Sequence, residues 1–135
     1  MKVLYALICE HAETGDDSRV DVRGIFHQLY APGFPAQQER LTLAVALEWE
    51  KGEEGRRSFR IDLLDPAGGP ALTISGHTDV GAPDGATGPP QTRLVMPLEN
   101  VVFAGEGSYR FVIRVDGTTT PLAPLHLIQA LDAEG

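Results

Sequence analysis

Apolar and polar residues alternate along this chain with a period of two. The clearest case runs from Arg40 to Glu50, where Leu41, Leu43, Val45, Leu47 and Trp49 alternate with Thr42, Ala44, Ala46, Glu48 and Glu50. That spacing puts five large apolar side chains on one face of a strand. The pattern recurs, and it predicts eight strands: Lys2 to Cys9, Arg19 to Tyr30, Arg40 to Glu50, Arg57 to Asp65, Pro70 to Asp79, Gln91 to Leu98, Ser108 to Val115 and Thr118 to Gln129. Turn residues separate them, among them Asp65-Pro66-Ala67-Gly68-Gly69 and Asp116-Gly117. An Asp-Gly pair between two apolar alternations is a strong hairpin signal, because a type I′ turn needs positive φ at both central positions. No segment carries a helical period of useful length.

Three local features refine the pattern. Gly24 interrupts the series Val20, Val22, Phe26, Tyr30 and marks a bulge or a close backbone approach. Pro121 and Pro124 make the last strand an edge strand, since proline has no N–H for a ladder. Gly107-Ser108-Tyr109-Arg110-Phe111 has the spacing of a tyrosine corner, in which the Tyr hydroxyl bonds backbone upstream and the residue two later enters the core. Many short strands with Gly/Pro turns predict an all-β, single antiparallel β-sandwich of immunoglobulin-like type, with an up-and-down barrel as the alternative. Its expected core includes Leu43, Val45, Leu47, Phe59, Ile61, Tyr109, Phe111 and Ile113. Residues 1–131 form the domain, and 132–135 are a frayed tail.

The length of 135 residues is that of one domain, able to bury a core without disulfides or metal. Cys9 is the only cysteine, so no internal disulfide exists, and its place in an apolar strand makes it a buried thiol. The net charge is −8, from 11 basic and 19 acidic residues. The only basic cluster is Arg56-Arg57, which argues against nucleic acid as a partner. The run Val3 to Cys9 is too short for a membrane span and lacks a cleavage site, so the chain reads as cytoplasmic.

The opening Val3-Leu4-Tyr5-Ala6-Leu7-Ile8-Cys9-Glu10, the Gly24-Ile25-Phe26 and Tyr30-Ala31-Pro32-Gly33-Phe34-Pro35 stretches, and the corner from Phe103 to Phe111 resemble an uncharacterised bacterial family of small immunoglobulin-like β-sandwich proteins. The resemblance covers nearly the whole chain. It implies the sandwich fold and a bacterial cytoplasmic origin, and it brings no catalytic residue.

Candidate chemistry is sparse. If the strands run antiparallel in succession, one end of the sandwich gathers Glu10, Glu13, Asp16, Asp17, Glu50, Glu53, Glu54, Asp79, Asp84 and Asp116. Clustered loop carboxylates can hold calcium, although no spacing here matches a known calcium loop. His11 and His77, with Glu10 and Asp79, are the alternative candidates for a metal. Ser75 and His77 share a face but stand about 7 Å apart along a strand, too far for a nucleophile and its base. The other end gathers Tyr30, Pro32, Phe34, Pro35 and Phe103, an apolar set of the kind that binds protein. The sequence therefore predicts a non-enzymatic binding or structural module without a cofactor. It associates with a protein partner or with itself, as a homodimer through an edge strand or the Tyr30 to Pro35 end. The alternative is a metal- or calcium-dependent ligand-binding or hydrolytic sandwich using the acidic loops.

Overall fold

The computed structural model describes residues 1–17, 19–82 and 88–130. Asp84 and the tail 132–135 lie outside them. Nine strands form in chain order: β1 (Lys2–Thr14), β2 (Val20–Ile25), β3 (Gln28–Ala31), β4 (Ala36–Glu48), β5 (Gly55–Leu64), β6 (Pro70–Val80), β7 (Gln91–Phe103), β8 (Gly107–Val115) and β9 (Thr118–Gln129). They make a four-stranded sheet in the order β2-β1-β4-β7 and a five-stranded sheet in the order β3-β9-β8-β5-β6. There is no helix among the described residues, and so none long and apolar enough to cross a membrane.

The two sheets share one core. It draws Ile8, Leu41, Leu43, Val45, Leu47, Val101 and Phe103 from the first sheet and Phe59, Ile61, Leu63, Phe111, Ile113 and Leu125 from the second. All eight residues expected in the core from their parity are buried. The tyrosine corner is present as well. The Tyr109 hydroxyl donates to the Gly105 carbonyl at 2.8 Å, and its ring meets Phe103 edge-on at 5.1 Å. Asp116 and Gly117 have φ of 50° and 80°, as a type I′ hairpin between Val115 and Thr118 requires.

Three expectations are corrected. The strand expected from Arg19 to Tyr30 is two strands in different sheets. Phe26 N–H still bonds the Ile8 carbonyl of the first sheet, while the His27 carbonyl accepts from His126 N–H of the second. The crossing comes after Phe26, two residues beyond Gly24, whose φ is 70°. A Cβ on Gly24 would also lie 2.8 Å from the Glu10 side chain, so the close approach expected at this glycine is present, whereas the unbroken β1–β2 register shows no bulge there. Next, β3 runs parallel to β9, so the pairing is not wholly antiparallel. Finally, β7 continues past Leu98 to Phe103. Asn100 has φ of 54°, and the inward positions change there from the half-buried Leu94, Met96 and Leu98 to the buried Val101 and Phe103.

The proline strand β9 sits between β8 and β3 in the sheet, yet β3 pairs only with His126–Gln129. Pro121 and Pro124 fall in the stretch paired on one side alone, where a missing N–H costs no ladder bond.

Candidate functional site

The crossing from one sheet to the other leaves strand β1 incompletely paired. Lys2–Cys9 pairs with β4, and only Cys9–Thr14 pairs with β2. Along Lys2 to Leu7, the edge opposite β4 therefore has no hydrogen-bonded partner strand among the described residues, although β9 of the second sheet passes near it. The Ile8 carbonyl points away from β4, towards Phe26 N–H. In an antiparallel strand alternate residues turn both polar groups the same way, so the N–H and C=O of Ala6 also face the bare edge. A register shift between Val3 and Tyr5 leaves Leu4 as an extra residue there, 39% exposed.

A groove opens beside this edge. Ala6, Ile8 and Ile25 line one wall and Pro124 and His126 the other, with His27 and Gln28 where the chain crosses. Ile25 is 50% exposed at its rim. Tyr30 is 64% exposed, and its hydroxyl donates to Gln28 Oε1 at 3.0 Å, which ties it to the same groove. Large exposed apolar side chains are uncommon among the described residues: Leu4, Ile25, Tyr30 and Val102. Three of the four border the bare edge and the groove.

The expected contact residues divide. Tyr30, Pro32 and Pro35 are exposed, Phe34 packs partly against the core, and Phe103 is 1% exposed within the core. Val101 and Phe103 are part of the core, and Tyr30 reaches outward beside the groove. Ala6, Ile25, Pro124 and His126 were invisible as a group in the sequence. Only Gly24 signalled the crossing that assembles them.

The two candidate metal sets do not converge. His11 lies on β1 of the first sheet, with its ring 3.7 Å from Glu13, whereas His77 lies on β6 of the second and bonds Arg56 at 3.2 Å. Glu10 faces Gly24, and Asp79 pairs across from Arg56 on β5. Among the described residues no three His, Cys, Asp or Glu side chains are placed to hold one ion. Three of the carboxylates are paired with cations instead: Asp116 with Arg57 at 2.8 Å, Asp17 with Arg19 at 3.0 Å, and Glu53 with the Met1 amino group at 2.8 Å. Cys9 is fully buried and its thiol donates to the Thr42 carbonyl; burial pushes the thiol up, so it is a poor nucleophile.

The model of a family of unknown function (DUF6941) matches residues 4–128. The chain belongs to that family, which meets the sequence resemblance in its coarser form: an uncharacterised family spanning nearly the whole chain. No curated protein matches the chain, and no solved structure does.

Proposed function

We propose that this family member is a non-enzymatic binding module of immunoglobulin-like type, and that it takes an extended protein segment at the bare edge of β1. A second copy of the chain is the simplest such segment, so the protein self-associates as a homodimer. The observation that carries the reading is the unpaired Lys2 to Leu7 edge beside an apolar groove rimmed by Ile25 and Tyr30. Strand addition draws affinity from backbone hydrogen bonds and specificity from side-chain pockets, and both halves are present here. An edge left bare is otherwise an aggregation hazard that proteins cover or blunt. The immunoglobulin-like assignment draws support from the shared core of the two sheets, the early strand that changes sheets, and the tyrosine corner.

Light scattering at micromolar concentration tests this. The expected mass is twice the 14.5 kDa of one chain. Ile25→Lys and Ala6→Pro should both return the monomer. The second is the sharper variant, because the Ala6 N–H faces the edge and proline there breaks no bond to β4. A wild-type monomer throughout, with no stable complex with any extended peptide, would remove the proposal.

A further inference from the structure

Charge is unevenly shared between the sheets. The strands of the five-stranded sheet carry five arginines (Arg56, Arg57, Arg60, Arg110, Arg114) against Asp62 and Asp79, a net +3 in a chain of net −8. Four of these arginines, Arg56, Arg60, Arg110 and Arg114, stand on the outer face of β5 and β8. Arg60 and Arg114 are directly opposite each other in the register, which places their Cβ atoms about 5 Å apart. Like charges so placed repel, and the single Asp62 carboxylate beside them offsets only part of their charge.

The pair is also held in position. Arg60 Nε donates to Asp62 Oδ1 at 3.0 Å, and Thr73 Oγ1 donates to the same oxygen at 2.6 Å. Arg114 Nε donates to Thr119 Oγ1 at 3.2 Å. Each guanidinium is thus anchored through Nε. Among the described residues the Nη groups of both, and all of Arg110, have no protein partner. Anchored guanidinium forks with free Nη groups match carboxylate oxygens in a bidentate geometry.

We propose that Arg60 and Arg114 form an oxyanion clamp that, together with Arg110, docks an extended acidic segment of a partner polypeptide over the face of β8. Arg110 and Arg114 are four residues apart on one strand, so both face outward about 13 Å apart. A lone phosphate cannot bridge that distance. An extended chain laid along β8 with carboxylates at positions i and i+4 can. Nucleic acid fits less well: neutralising a run of phosphates needs more clustered cations than this face offers, and Asp62 takes up part of the charge of Arg60. The surface is separate from the β1 edge, so it stands whether or not the chain self-associates there.

Titration calorimetry with synthetic hexaglutamate, on the full chain at low ionic strength, tests this. Saturable one-to-one binding that weakens as salt is added is expected. Arg114→Gln should weaken it at least tenfold and Arg110→Gln severalfold, while Arg23→Gln on β2 leaves it unchanged. Arg114→Gln keeps the Arg60–Asp62 contact, so the fold is not in question. Thr119→Val should weaken binding about threefold with an unchanged melting temperature, which a purely structural role for Thr119 would not produce. Absence of saturable binding, or equal binding by Arg114→Gln, would overturn the clamp. Binding of inorganic phosphate or a single-stranded oligonucleotide without binding of hexaglutamate would overturn the assignment to an acidic polypeptide.

Discussion

Asp62 stands on the outward parity of a central strand, where the pattern calls for a solvated side chain, yet its carboxyl is 3% exposed. Neighbours on the same face cover it. Val112 lies opposite on β8 and Thr73 opposite on β6. Burial pushes its carboxyl up, but hydrogen bonds from Thr73 and Arg60 and the charges of Arg60 and Arg114 outweigh that and hold it below the usual carboxylate range. A depressed value in the folded state means that the stabilisation is present above the unfolded value of about 3.9 and is lost as pH falls through the folded one. Denaturant titrations from pH 7 to pH 3 should therefore show a steeper acid loss in the wild type than in Asp62→Asn. At pH 7 the same variant should be less stable by about 1–3 kcal/mol. Parallel pH profiles would mean that the carboxylate charge contributes nothing. Tyr109 makes a simpler case. Its hydroxyl exchanges bonds with Gly105 while its ring lies in the core, so Tyr109→Phe isolates the hydrogen bond and should cost about 1 kcal/mol by thermal unfolding.

At the scale of elements, legibility depended on whether a strand keeps one parity. β5, β6 and β8 do, and Phe59, Ile61, Leu72, Ile74, Tyr109, Phe111 and Ile113 could be placed from spacing alone. β7 does not, because Asn100 turns the chain over in mid-strand, and its continuation reads as a separate apolar corner. The stretch from Arg19 to Tyr30 keeps its apolar spacing while the strand changes sheets beneath it. Tyr30 therefore ends outside, although Phe26 packs against the core. The candidate groove was hidden for that reason: its walls come from β1, β2 and β9, which meet only because of the crossing. One glycine was less informative in sequence than it is in place. A Cβ on Gly76 would lie 2.8 Å from the Phe59 ring, so Gly76→Ala should displace a core aromatic and lower the melting temperature by several degrees. An unchanged melting temperature would show that the ring can move aside at no cost.

The whole molecule is joined by more than its core. On one side the chain itself crosses between sheets at Phe26 and His27. On the opposite side the edge strands β6 and β7 are linked by side chains. Thr92 Oγ1 accepts from Trp49 Nε1 at 2.9 Å and meets Thr78 Oγ1 at 3.1 Å. Thr92 and Trp49 belong to the first sheet's side and Thr78 to the second, so this seam closes the gap that the crossing does not. Between the two joins, side chains from both sheets form one continuous cluster, and neither sheet buries its apolar face without the other. A chain built this way is expected to lose both sheets in one cooperative transition. Leu47 and Ile113 test the point from opposite sheets, each fully buried in that cluster. Leu47→Ala and Ile113→Ala should each cost about 2–5 kcal/mol. Each should shift one shared transition, seen alike by far-ultraviolet circular dichroism and by the fluorescence of Trp49. If Leu47→Ala moved only the Trp49 signal and left the circular dichroism transition in place, the sheets would be separate folding units and the shared core would not couple them.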